Sequence, residues 1–121
     1  MLYTRTEIQQ RLGGELQTYA PQRNNRILAL CVNTIRNPNA PFAIYVGTGV
    51  RNVAKADLLA RNQVNTQIPV YLKEGREKRY QNLGEMEIIA VITDSNMLME
   101  ASVIAGREIT RIIQLKVVES I

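Results

Sequence analysis

The chain has 121 residues, a net charge of +4 and 45% hydrophobic residues, which suits one globular domain with its own core. It has no histidine and one cysteine, Cys31. These counts exclude histidine bases, Ser-His-Asp triads, intramolecular disulfides and zinc sites built from histidine or several cysteines. We therefore expect a binding module rather than an enzyme, with no catalytic residue, metal ion or cofactor.

Arginine accounts for eleven of the fifteen cationic residues. Arginine favours planar contacts to phosphates and base edges, although the same residues also serve simply to solubilise a surface. The first residues lack the apolar segment of a signal peptide, and no apolar run approaches the roughly 18 residues of a membrane-spanning helix. The expectation is a cytoplasmic protein without a membrane partner. The sequence leaves its oligomeric state open.

The chain begins with a predicted helix. Thr4 and Glu7 have the spacing of a capping box, so the helix covers Arg5 to Leu12 and ends at Gly13-Gly14. A turn-rich stretch follows. The sequence RILALCV over 26–32 is short and continuously apolar, which predicts a buried strand.

A loop, a strand and a helix come next. Residues 33–41 are rich in Asn and Pro and predict a loop, and residues 42–47 (FAIYVG) predict a strand. The segment Gly47-Thr48-Gly49 then turns into a helix predicted over Val50 to Asn62.

The second half of the chain predicts mainly strands. Residues 68–74 form one, a charged turn follows at 75–78, and residues 79–83 and 86–93 form two more strands or a single strand bent at Gly84. Beyond these, Asp94 or Ser95 caps a short apolar helix that Gly106 ends, and a last strand covers 109–118.

The predicted order of elements is therefore α-β-β-α-β-β-β-α-β. Two strand connections are too short for a crossover helix, which indicates an α+β fold: a small curved mixed sheet or barrel of about six strands with three short flanking helices. We expect one domain over 1–121, in which residues 1–25 form the N-terminal helix and lead-in and residues 26–121 form the barrel.

The glycine turn at 47–49 is the first candidate site. Backbone N–H groups at a helix start can hold a phosphate, but a tight turn also needs glycine. The turn lacks the Gly-Lys-Ser/Thr of a P-loop, and Asn52 occupies the third glycine position of a dinucleotide fingerprint. Arg51, Lys55 and Asn62 fall on one face of the following helix, which either meets a polyanion or is only solvated.

The strand at 68–74 is the second candidate. Alternation places Tyr71 and Lys73 on one face and Ile68, Val70 and Leu72 on the other. An aromatic ring beside a cation is typical of a nucleic-acid platform. The alternative is a tyrosine that lies over a lysine stem at the rim of the core.

Two loops are further candidates. The predicted hairpin segment 73–80 carries Arg76 and Arg79, and such a basic loop can enter a DNA groove or, since two glutamates lie within it, form a solvated turn. The loop 33–39 carries three asparagines and Arg36, which can read base edges or serve as ordinary turn residues.

Several of these segments resemble PUA-like domains related to the EVE and SRA (YDG) readers of modified DNA. In that group a strand ends in tyrosine, valine and glycine, and a helix carries Arg-Asn and a later Ala-x-Leu-Leu-Ala. An Ile-Pro-Val-aromatic strand, a hairpin with an aromatic residue and an apolar last strand follow. The matching segments, within residues 27–118, are Tyr45 to Gly47, Arg51-Asn52, Ala56 to Ala60, Ile68 to Tyr71, Tyr80, and Ile109 to Val117.

The resemblance implies a small barrel that binds DNA and receives a flipped modified base in a pocket of the concave sheet, while the sequence itself leaves open whether the ligand is DNA, modified or unmodified, or RNA. It implies a restriction or defence setting, with a nuclease partner acting in trans. This chain has no tryptophan and one phenylalanine, so Tyr45, Tyr71 and Tyr80 are the candidates for stacking on a base. The predicted nucleic-acid-binding residues are Arg36, Tyr45, Gly47, Gly49, Arg51, Asn52, Lys55, Tyr71, Lys73, Arg76, Arg79 and Tyr80.

Other functions stay open at this point. The domain can be a structural or protein-interaction subunit with an acidic partner, or an enzyme that binds a nucleotide phosphate at the glycine turn. Residues 44–47 before a basic helix are also similar to the second half of the GIY-YIG nuclease motif. The region 33–38 lacks the tyrosine of the first half, however, and the metal-binding glutamate has no counterpart.

Overall fold

The computed structural model describes residues 1–118 and consists of a curved mixed sheet, a two-stranded sheet and three helices. The elements in chain order are β1 (Leu2–Tyr3), α1 (Arg5–Leu12), β2 (Gln22–Arg23), β3 (Arg26–Ile27), β4 (Leu30–Asn33), β5 (Ala43–Val46), α2 (Val50–Asn62), β6 (Gln67–Lys73), β7 (Tyr80–Ile92), α3 (Ser95–Ala105) and β8 (Arg111–Val117).

The main sheet has the order β4-β6-β7-β8-β5, with β1 also paired to β7. The β4–β6 pair is parallel and every other pair in this sheet is antiparallel. The sheet curls until it is nearly closed into a barrel, so the edge strands β4 and β5 flank a seam. This architecture confirms the predicted α+β class and is compatible with a PUA-like barrel.

Strand alternation divides the side chains between the barrel interior and two outer clusters. Ile68, Val70 and Leu72 on β6 face the main core inside the barrel, together with Ile44 and Val46 on β5. Two smaller clusters lie outside. The first contains Ile8, Ala29, Cys31 and Tyr71, and the second contains Tyr45, Ala101, Ile109 and Ile112.

The three helices have the predicted bounds, and α1 and α3 have the predicted caps. The Thr4–Glu7 capping box is formed in both directions at the start of α1. The Asp94 carboxylate accepts a hydrogen bond from the Met97 N–H at 3.0 Å, and Gly106 ends α3 in the left-handed conformation. Local capping signals thus define α1 and α3, whereas α2 begins at a glycine turn without a side-chain cap.

The prediction of a single strand over residues 26–32 is wrong. The structure divides this segment into β3, which pairs with β2, and β4, which pairs with β6. Between them the Leu28 N–H donates to the Pro21 carbonyl at 2.8 Å, and within β4 the Cys31 N–H donates to the Tyr19 carbonyl at 2.7 Å. The chain therefore passes from one sheet to another, because an upstream segment takes its backbone hydrogen bonds.

Other strands are close to the prediction. β7 is one continuous strand bent near Gly84, whose φ of +79° favours glycine, so the single-strand alternative is correct. β8 begins two residues later than predicted. The short strands β1 and β2 have no counterpart in the prediction. Residues 119–121 of the predicted domain lie outside the described residues.

Within residues 1–118, no helix combines the length and apolar character that crossing a membrane requires.

Candidate functional site

A pocket of about 410 Å³ lies along the seam of the barrel. Its walls come from both edge strands, from the loop that joins them, from the turn before α2 and from the segment that precedes β8. In the described part of the chain, the edge strands β4 and β5 are not paired with each other across this seam. Curvature of the sheet therefore creates the cavity, with polar backbone edges on two sides.

Asn37 bridges the two sides of the seam. Its side-chain oxygen accepts a hydrogen bond from the Tyr45 N–H on β5 at 2.8 Å, and its amide nitrogen donates to the Asn33 carbonyl at the end of β4 at 3.1 Å. Asn37 is 6% exposed. Its amide thus replaces part of the missing strand pairing and fixes the distance between the pocket walls.

Arg107 lies across the other part of the seam. Its Nη2 donates to the Arg36 carbonyl and to the Tyr45 carbonyl, each at 3.1 Å. Its Nη1 lies 3.1 Å from the position that a Cβ on Gly47 would occupy. A side chain at position 47 would crowd this guanidinium, which gives Gly47 a packing role beside its place in the turn.

The turn before α2 forms the next wall. Gly49 is the N-cap and supplies no side-chain hydrogen bond to the first helical turn, which contains no acidic residue. The half-buried Tyr19 hydroxyl donates to the Asn52 carbonyl at 2.8 Å. Burial, with a smaller contribution from Asp57, raises the pKa of Tyr19, so this phenol is neutral at physiological pH.

A second, shallower depression lies at the β6–β7 hairpin. It is lined by the exposed Arg76, Lys78 and Arg79, together with Leu2 and Glu77. Three cations and Glu77 thus line this depression, and a second exposed glutamate, Glu74, lies in the same hairpin tip.

The hairpin adjoins the loop of the seam pocket. The Thr34 N–H donates to the Lys73 carbonyl at 3.0 Å, and the Thr34 hydroxyl accepts from the Gly75 N–H at 2.9 Å. The loop that carries Arg36 and the loop that carries Arg76 therefore meet at the same end of the barrel.

The structure places the predicted nucleic-acid-binding residues at several separate locations. Arg51 is exposed on α2 but lines neither the seam pocket nor the hairpin depression. Lys73 lies over the ring of the half-buried Tyr80, with 5.5 Å between its amine and the ring centroid. The seam pocket contains Arg36, Tyr45, Gly47, Gly49 and Asn52, and the hairpin depression contains Arg76 and Arg79.

The prediction of an open aromatic platform on β6 is wrong. Tyr71 is 2% exposed, because β1 and α1 cover this face of the sheet and the Tyr3 ring packs edge-on against it at 6.0 Å. The Tyr45 ring packs under α3, and its hydroxyl accepts from the Asn39 amide at 2.9 Å. The tyrosines at 45, 71 and 80 do not form one stacking surface.

Lys55 does not lie on an exposed charged face with Arg51. Its side chain is 6% exposed and its amine donates to the Glu15 carboxylate at 2.7 Å. The Ala20 carbonyl at 2.8 Å and the Gln22 side-chain oxygen at 3.1 Å accept from the same amine. The three oxygens use all three ammonium protons, so Lys55 ties the N-terminal lead-in to α2.

Sequence reasoning missed two residues of the seam, Tyr19 and Arg107, and considered Asn37 only as one of the three asparagines of loop 33–39. Asn37 lies in the Asn-rich loop, whose composition did indicate a polar site, but only the fold shows that its side chain points into the seam. Arg107 follows the glycine that ends α3, and nothing local distinguishes it from a solvated arginine. The fold brings Tyr19 to the pocket from a segment without secondary structure.

Potential catalytic groups are sparse in residues 1–118. No group of three or more Cys, Asp or Glu side chains in this range is placed to hold a metal ion. Burial raises the pKa of the Cys31 thiol to about 11, against a smaller lowering effect of Arg5. This thiol is thus protonated at neutral pH and a poor nucleophile.

Comparisons with known proteins identify no relative of this chain. No protein-family model, curated protein or solved structure matches the chain significantly.

Proposed function

We propose that this domain is a non-catalytic nucleic-acid-binding module in which the seam pocket receives a base and neighbouring cations contact phosphates. The observation that carries the proposal is the position of the pocket. It opens beside the loop of Arg36, and this loop is hydrogen-bonded through Thr34 to the hairpin that carries Arg76, Lys78 and Arg79. Clustered cations at one end of a domain favour binding to a polyanion.

The charge on these cations is available to a ligand. Among residues 1–118, no carboxylate lies within 4 Å of the charged groups of Arg36, Arg76 or Arg79, whereas Lys55 and Arg111 each have a carboxylate partner. Arginines that line concave surfaces without a carboxylate partner are the residues best suited to phosphate contacts.

The pocket has the size and chemistry for a single base with its sugar. Its volume of about 410 Å³ falls in the range of small-ligand sites. Asn52, Arg36 and Arg107 are among its lining residues, and asparagine and arginine side chains recognise base edges by paired hydrogen bonds. The amides of Asn33 and Asn37 are instead engaged in hydrogen bonds within the seam. Tyr19 offers a ring at this pocket. Tyr45 and Tyr71 are packed in the core, which removes them and Lys55 from the set of direct contacts we propose.

The proposed ligand is DNA with an everted base, modified or unmodified, or RNA that presents an unpaired base. The compatible barrel and the EVE- and SRA-like sequence features favour a reader of modified DNA. Because residues 1–118 offer no cluster of metal-ligating side chains and the Cys31 thiol is protonated at neutral pH, we assign strand cleavage in a restriction or defence setting to a nuclease partner.

Charge-neutral variants of the hairpin test the proposal. We expect R76Q/R79Q to bind labelled duplex DNA at least tenfold more weakly than the native protein. The slope of log K against log salt should also fall by about 0.9 for each phosphate that the double variant no longer neutralises. R61Q is the matched control, since Arg61 is an exposed cation in the last turn of α2, away from both pockets. Equal affinities of the three proteins would refute the proposal.

A second candidate, a protein-interaction subunit, is favoured by one specific observation. The helix α3 exposes Met99 (67% exposed), Val103 (78%), Met97 and Ile104, and exposed apolar groups of this kind mark protein contacts. Sedimentation velocity of the native protein and M99E/V103E tests this function. A self-association that the double variant abolishes would support it, and a monomer at all concentrations would argue against self-association.

A further inference from the structure

We infer that the seam pocket contains an oxyanion subsite formed by Arg107 and Arg36, and that the group it holds is the phosphate of a nucleotide. The inference specifies which ligand group the seam pocket binds, and its nucleotide part rests on the proposed nucleic-acid function. Arg107 is not among the residues that the sequence indicated.

The hydrogen bonds of Arg107 hold its guanidinium in a fixed orientation. Nη2 donates both of its protons to main-chain carbonyls, those of Arg36 and Tyr45. Within residues 1–118, Nε and Nη1 have no hydrogen-bond acceptor. Nη1 lies against Gly47, a residue that also lines the pocket. One edge of the guanidinium is therefore secured by the protein while donors on the other groups stay available for a ligand.

Arg36 supplies the second charge. Its backbone is fixed, since its N–H donates to the Asn33 side-chain oxygen at 2.8 Å and its carbonyl accepts from Arg107. Arg36 is among the residues that line the pocket, and its side chain makes no hydrogen bond within the described chain. No carboxylate of residues 1–118 lies within 4 Å of either guanidinium. Two neighbouring cations without a counterion are stabilised by an anion that both can contact.

Two further features bear on the charge of the subsite. Burial and then the proximity of Arg36 lower the pKa of Arg107, which is the direction expected when a cation has a cationic neighbour. The uncapped first turn of α2 adds the positive end of a helix dipole beside the same pocket. Glu108 opposes these contributions, because its exposed carboxylate also belongs to the lining residues.

The pocket volume favours a nucleotide over a free phosphate ion as the ligand. At about 410 Å³, the cavity has room for a base and sugar attached to the phosphate. We therefore expect a nucleoside monophosphate to bind more tightly than inorganic phosphate, because only the former also fills the asparagine-lined part.

Calorimetric titrations test the subsite. The ligands are the four deoxynucleoside 5′-monophosphates, the matching nucleosides and inorganic phosphate, each to millimolar concentration. We expect at least one monophosphate to bind tenfold or more tightly than its nucleoside and than inorganic phosphate. R36Q should weaken that binding about tenfold, E108Q should strengthen it severalfold, and the control R61Q should leave it unchanged.

The test of Arg107 requires two variants, because its side chain also has a structural role in tying Arg36 to Tyr45. R107K keeps the charge but loses the planar fork, whereas R107Q removes the charge, and thermal unfolding shows whether each is folded. A reduced affinity of folded R107K would support the subsite. Equal binding of nucleosides and monophosphates, binding in R36Q equal to that of the native protein, or no monophosphate binding would each overturn it.

The same variants separate this inference from the proposed function. If the native protein binds duplex or single-stranded nucleic acid and R36Q binds it equally well, the subsite is overturned and the nucleic-acid module is retained. If monophosphates bind in an Arg36-dependent manner and no polynucleotide binds, the subsite is supported and the nucleic-acid module is rejected.

Discussion

Replacement of Asn37 by leucine tests the account of how the barrel seam is closed. Leucine has a similar shape, so the main loss is the pair of hydrogen bonds to the Tyr45 N–H and the Asn33 carbonyl. The buried Tyr45 N–H would be left without a partner, which costs about 1–3 kcal/mol, and the second bond contributes about 1 kcal/mol. The expected loss in the free energy of unfolding is about 2–4 kcal/mol.

A loss of this size is readily measured. For a chain of this length it corresponds to a decrease in Tm of about 8–16 °C, and urea titration followed by circular dichroism gives the free energy directly. The matched control is N39L, since Asn39 lies in the same loop but is exposed and makes one side-chain bond, to the Tyr45 hydroxyl. N39L should lose less than about 1 kcal/mol. If N37L and N39L had the same stability as the native protein, the seam would not depend on this amide.

Three further predictions concern Lys55, Glu15 and Cys31. K55M retains the apolar stem but leaves the Ala20 carbonyl without its amine partner. Urea titration should therefore show a loss of about 2 kcal/mol in the free energy of unfolding. An unchanged urea midpoint would contradict the role of Lys55 in tying the N-terminal lead-in to α2. Burial raises the pKa of Glu15, but the hydrogen bonds from Lys55 and from the Gln22 N–H outweigh it and lower the pKa below 4.5. The stabilisation by Glu15 is then complete above pH 4.5 and lost as the pH falls through the lowered pKa. On acidification, Tm should therefore fall less in E15Q than in the native protein. Parallel curves of Tm against pH for the two proteins would refute this. Cys31, with its pKa of about 11, should react with a disulfide reagent at about pH 8 only after urea unfolding, and rapid reaction of the folded protein would show that the thiol is accessible.

Local signals account for the parts of the fold that were predicted. The capping box at Thr4, the Asp94 cap and the glycines at both helix ends specify helices through contacts a few residues apart. The alternation of side chains along β6 correctly predicts that Val70 and Tyr71 lie on opposite faces of the sheet. The α+β class follows from the connection lengths, which leave little room for crossover helices.

Contacts between distant segments account for what was not predicted. Lys55 looks like a solvated cation until Glu15, forty residues earlier, approaches it. Tyr71 looks exposed until β1 and α1 cover it. Arg107 reaches Arg36 across 71 residues. The burial and the hydrogen-bond partners of each of these side chains depend on the curvature of the sheet. The alternation of side chains in a single strand does not specify that curvature.

Fluorescence anisotropy of the native protein with labelled nucleic acids tests the central claim most directly. The panel comprises unmodified, methylated and hydroxymethylated duplexes, the corresponding single strands and RNA, at about 50 and 200 mM salt. A nucleic-acid module that receives a base in the seam pocket should prefer one member of the panel and keep that preference at the higher salt. Uniform binding that disappears at about 200 mM would contradict base recognition, and no binding at either salt would contradict the proposed function as a whole.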